Sequence, residues 1–128
     1  MERRSASNMA KSLLSEYRVT VWRKSALERV PEISSNLLLA CAEQMRYTQE
    51  LVEVLRSNKL LGEKLYWIIY ATYMTDKQPI DIDEILDYIT KNHQPVPRRT
   101  YFRLRGRAIN LLDNRLKEEA REMVATDT

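Results

Sequence analysis

The segment Pro97 to Leu112, PRRTYFRLRGRAINLL, has to be buried along one side and resists burial along the other. At about 100° per residue, Tyr101, Leu104, Ala108, Leu111 and Leu112 share one face of a helix. Arg99, Arg103, Arg107 and Asn110 share the opposite face, with Thr100 and Gly106 at its edges. Five arginines fall in the segment and no acidic residue does. The apolar face needs a body of protein to pack on. Arginines spaced at i, i+4 and i+8 repel one another, so their face calls for an anion.

The body is expected to be helical throughout. Two glycines and four prolines in 128 residues leave few places for the chain to turn. A first helix is expected from Ala6 to Arg29, with Met9, Leu13, Tyr17 and Val21 at helical spacing and Pro31 ending it. The run Val19 to Trp22 has strand-like composition but no partner strand nearby. A second helix is expected from Pro31 or Glu32 to Ser57, striped by Ile33, Leu37, Cys41, Met45, Thr48, Val52 and Leu55 and widened by Leu38 and Leu51. Two such helices joined by a short turn form an antiparallel hairpin or a coiled-coil arm. The stripe Leu37, Cys41, Met45, Val52, Leu55 suggests a homodimer seam; the competing expectation is that the arm packs on its own chain.

Three further helices follow. The third, Leu60 to Met74, buries Leu61, Leu65, Ile68, Ile69 and Thr72 or Tyr73, with Trp67 and Tyr70 toward its flanks. Trp67, Tyr66, Tyr70 and Tyr73 read as core rather than as a base-stacking platform. The fourth, Asp83 to Lys91, is capped by Asp81 or Asp83 and buries Ile85, Leu86 and Ile89. The loop NHQPVP ends it, Val96 is the apolar residue of that turn, and Pro97 suits the start of a last helix reaching Glu122. The expected architecture is all-α: a hairpin over 1–59, a helix-turn-helix unit over 60–122 and a flexible tail over 123–128.

Net charge is only +3, but it is concentrated. Residues 98–117 carry seven basic side chains and one acidic; residues 62–97 carry three and six. The charged helix, its missing acidic partners at i±4 and the two helices before it together suggest a reader of double-stranded DNA. Arginine's planar fork fits phosphate and guanine edges. Arg99 and Arg103 are then candidates for base contacts, Arg98 and Thr100 for phosphates or bases at the helix start, and Arg107 and Asn110 for the backbone further along. Arg105, near the apolar arc, is read either as a DNA contact or as a partner of Asp87 or Glu84. Gly106 costs about 1 kcal/mol within a helix, which a close approach to DNA or to another helix would explain. Tyr101 sits at the centre of the apolar face and reads as core.

Other chemistries find little purchase. His93 is the only histidine and lies in a turn; no His and Cys pair has metal-ligand spacing, and no glycine loop cradles phosphate. Asp81, Asp83, Glu84 and Asp87 are explained by capping and solvation. No enzyme activity, cofactor or metal is therefore expected. Cys41, the single cysteine, belongs to an apolar pattern and reads as core. No apolar run spans a membrane, and MERRSASN lacks the apolar stretch of a secretory signal, so cytoplasm is the expected compartment. Two alternatives stand beside the DNA reading: a helical adaptor whose arginines meet an acidic surface of a protein such as RNA polymerase, and an RNA-binding module.

The segments LYWIIYATYMTDKQPIDIDEILDYI and VPRRTYFRLRGRAINLL resemble the C-terminal half of ArpU-like and RinA-like regulators. These small transcriptional activators of phages and integrated elements are distantly similar to the promoter-reading region 4 of sigma factors. The likeness covers roughly residues 60 to 116, and its core is Thr100-Tyr101-Phe102-Arg103. The two prolines of NHQPVP and Gly106 depart from the family pattern. The resemblance implies a sigma-region-4-like helix-turn-helix and control of phage or mobile-element transcription.

Overall fold

A computed structural model describes residues 2–30, 32 and 35–127, with side chains placed between residues 9 and 125 of those spans. Among them all regular structure is helical. Helix α1 (Glu2–Glu28) is followed by α2 (Ser35–Glu53), which tightens into a 3-10 turn (Val54–Ser57). Helix α3 (Gly62–Ile69) widens into a π-helical turn (Tyr70–Met74), and α4 (Ile82–Asn92) and α5 (Arg98–Asp127) complete the chain. The architecture is all-α, a helical hairpin followed by helices in helix-turn-helix order. Pro31 and Ile33, read from sequence as turn and stripe, lie outside the described residues.

One core joins the whole. Ala10, Leu14 and Tyr17 of α1, Leu51 and Val52 of α2, Leu65, Ile68 and Ile69 of α3, Ile89 of α4 and Tyr101, Leu104, Ala108 and Leu112 of α5 are buried in one cluster. Helix α1 packs on both α2 and α5. A buried tie fixes that packing: the Ala10 amide donates to Oδ1 of Asp113 at 2.7 Å. The joint expected near residue 59 is therefore no boundary in packing, because α1 completes the core that α3 and α5 begin.

The dimer seam needs the same correction. Val52 and Leu55 are in the core, Cys41 is buried within the chain, and Met45 packs against the core. Only Leu37 of that stripe is exposed. The arm packs on its own chain because α1 lies along the inner face of α2. On α1 the buried face is Ala10, Leu14, Tyr17 and Thr20, one step round from the expected stripe, and Met9 is exposed.

Local chemistry sets the joints. Asn58 Oδ1 accepts from the amides of Leu60 and Leu61 at 3.2 and 3.0 Å and so turns the chain into α3. Gly62 follows, and a Cβ there would lie 2.6 Å from the Arg56 carbonyl oxygen. Arg56 is held by Glu53 and Glu63 and lies 3.7 Å over the Tyr66 ring. The third helix buries Leu65, Ile68 and Ile69 as its spacing predicts, but then Ala71 and Met74 rather than Thr72 or Tyr73. The reason is that α1 lies across the π turn and covers its other side.

Helix α4 begins with a reciprocal cap, in which Asp81 accepts from the Glu84 amide at 3.0 Å and Glu84 accepts from the Ile80 amide at 2.8 Å. Val96, buried between two prolines, pins the turn into α5. The last helix runs five residues beyond Glu122, to Asp127, because Met123, Val124 and Ala125 contain no breaker. The flexible tail expected from residue 123 is, as far as Asp127, more helix.

Candidate nucleic-acid interface

The first turns of α5 are locked from beneath. Tyr101 is wholly buried, and its hydroxyl shares a 2.7 Å hydrogen bond with Thr72 Oγ1 of the π turn. Thr72 also donates to the Ile68 carbonyl at 2.6 Å. Leu104, Ala108 and Leu112 continue the buried face, as the sequence predicts; Leu111 lies at its rim, partly exposed. The face that points away from the protein is thereby set.

On that outer face Arg99, Arg103, Arg107 and Asn110 are all exposed. Among the described residues none of these three arginines has a carboxylate within ion-pairing distance. Thr100 is half-buried at the flank. Arg98 is exposed but engaged, its Nη2 lying 2.9 Å from Oδ1 of Asp83 on α4. It therefore ties the two helices together where they meet, and would have to leave Asp83 to reach a phosphate.

Arg105 pairs with neither of the carboxylates expected for it. Asp87 is taken by Lys91, and Glu84 by the Ile80 amide. The Arg105 guanidinium instead lies 5.3 Å from the Phe102 ring centre and 5.7 Å from that of Tyr101. It also faces Tyr73, whose phenol is pushed up by burial and held back by this charge. Arg105 is half-buried because its stem covers aromatic surface.

Two residues gain importance from the structure. Phe102 is 47% exposed, although Tyr101 beside it turns wholly inward. Gly106, one turn on from it, is exposed, and a Cβ there would meet nothing within 4 Å. Among the described residues no helix comes that close to the glycine. The sequence signal for Phe102 is its angular place, since an aromatic residue outside the apolar arc has no core to enter.

The aromatic group behind α5 is a half-buried stack. Tyr66 and Tyr70 lie 5.9 Å apart with planes 28° from parallel, Tyr70 and Tyr88 are 6.2 Å apart at 20°, and Trp67 meets Tyr66 edge-on. These rings close the outer side of α3 against α4 and satisfy one another. Among the described residues no three His, Cys, Asp or Glu side chains are grouped to hold a metal ion, and no helix is long and apolar enough to cross a membrane.

Comparison with protein-family models, curated proteins and solved structures finds no match to this chain.

Proposed function

We propose that this protein is a sequence-specific reader of double-stranded DNA that regulates transcription, placing the start of α5 in the major groove. The observation that carries this reading is the row Arg99, Arg103, Arg107: exposed, unpaired and aimed outward by a helix whose other side is locked into the core. Three like charges held so close on one rigid face favour a polyanion, and their guanidinium forks suit guanine edges and phosphates alike. Arg103 is assigned a base contact, Arg99 a base contact nearer the helix start, and Arg107 and Asn110 the backbone. Thr100 flanks them, and Arg98 positions the turn through Asp83.

The likeness of residues 60–116 to ArpU-like and RinA-like regulators supports the same reading and suggests phage or mobile-element genes as its setting, in a cytoplasmic protein. One reading helix spans one half-site, so two copies on an inverted repeat form the natural binding unit. The outer end of the hairpin, where Trp22, Val30, Leu37 and Leu39 are exposed, is the surface left for pairing.

The test is selection of bound sequences from a random duplex library, followed by titration over a range of salt. A preferred sequence with steeply salt-dependent affinity is expected. Arg103→Ala should cost about 1–3 kcal/mol on the preferred duplex and relax one base-pair preference. Unchanged affinity would place the reading face elsewhere. Preference for single-stranded RNA, or binding to RNA polymerase without DNA, would replace this function with one of the two alternatives.

A further inference from the structure

We infer that Phe102 and Gly106 form a seat for the 5-methyl group of thymine, so that this reader recognises a thymine beside the bases its arginines select. The inference rests on the duplex-reading function proposed above and adds what that function lacks, an apolar term in the specificity.

Phe102 is the one large apolar side chain on the outward part of the first three turns of α5. It is held in place from two sides. Its ring meets Tyr101 edge-on at 5.1 Å and 72°, and Tyr101 is itself anchored to Thr72. Arg105 lies against it at 5.3 Å. An aromatic ring fixed in the open, rather than folded back over the core, is prepared for contact. Residue 106 stands at i+4 from Phe102 and at i+3 from Arg103, so on the helix surface it lies directly between them and Asn110. A glycine there leaves a notch beside Phe102 with the backbone as floor: among the described residues no atom lies within 4 Å of where a Cβ would stand. Elsewhere the chain keeps a glycine where backbone approaches backbone, at Gly62; at Gly106 there is no such neighbour among the described residues.

The surrounding charge names the occupant. The notch is flanked by Arg99, Arg103 and Arg107, all unpaired, so whatever approaches is anionic overall. It must also offer a small apolar group that projects toward a helix. In the major groove of DNA the thymine methyl is the group of that kind, and it presents itself to apolar side chains. RNA carries uracil and lacks it.

The experiment uses the full chain and the preferred duplex obtained by selection, with each thymine replaced in turn by deoxyuridine, a change that removes only the methyl. At one or two positions the replacement should weaken binding about fourfold, the factor that corresponds to withdrawing one buried methyl. Phe102→Ala should abolish the difference between thymine and uracil at that position and leave the salt dependence unchanged, because the arginines are intact. Phe102→Leu should keep part of it. Both variants should melt as cooperatively as the parent, since the ring lies outside the core. Tight duplex binding that no deoxyuridine disturbs overturns the seat and leaves the reading of DNA standing. Persistence of the thymine preference in Phe102→Ala assigns the methyl to another group and overturns the role of Phe102. Absence of preferential duplex binding at the outset overturns the reading itself, and the seat with it.

Discussion

The two glycines are a matched pair of opposites. At Gly62 the start of α3 lies so close to the 3-10 turn that a Cβ would press on the Arg56 carbonyl at 2.6 Å, and backbone cannot swing aside as a side chain can. Gly62→Ala is expected to destabilise the protein by about 1–3 kcal/mol, measured by urea unfolding. At Gly106 the space is open, so Gly106→Ala should raise stability by about 1 kcal/mol, the ordinary helix preference for alanine. The same substitution should weaken duplex binding by closing the notch beside Phe102. A variant that is more stable and binds DNA unchanged would show that nothing approaches the helix there.

Among the elements, α1 and α5 are coupled through Asp113, a buried carboxylate that accepts from the Ala10 amide. Asp113→Ala removes the charged acceptor that ties the two helices together, at an expected cost of about 1–3 kcal/mol. The loss should be accompanied by faster amide exchange in α1 around Ala10, read by hydrogen exchange. Exchange raised evenly over all helices would instead mean that Asp113 serves the core at large. The coupling also explains what could be read from sequence and what could not. The period of apolar residues located α3, α4 and α5 to within a few residues and chose the correct inner face of α5, because that face is wide and its opposite side is dominated by arginines. It could not tell which surface would cover the stripe of α2, since a seam between two molecules and a seam within one have the same spacing. Nor does it foretell the π turn, whose residues Tyr70 to Met74 favour an ordinary helix; the turn is held by the tertiary bond from Thr72 to Tyr101. The surroundings of Arg105 escape the sequence for a related reason. Spacing along the chain brings out carboxylates, whereas the aromatic rings one turn away and across the helix boundary are nearer.

At the scale of the whole molecule, the far end of α5 is moored to the hairpin by Tyr47, whose hydroxyl donates to Glu119 at 2.8 Å. Burial and that carboxylate push the Tyr47 phenol up to about 12. Its folded form therefore holds the proton more tightly than the unfolded chain, which titrates near the ordinary value of about 10. The contribution is fully present below the unfolded value and is lost as pH rises toward the folded one. Urea midpoints of the parent and of Tyr47→Phe should converge as pH rises from about 10 to about 12; a gap that stays constant would mean the hydroxyl does not bond Glu119 in solution. This mooring has a mechanical side. Helix α5 has 30 residues, a rod of roughly 45 Å at about 1.5 Å per residue. Asp113 grips it near its middle, and the turns before that grip are fixed in the core by Tyr101, Leu104 and Ala108. The last turns overhang the core, with residues 120–125 exposed. The hydrogen bond at Tyr47 is thus a stay: it lashes the overhanging end of the rod to the hairpin.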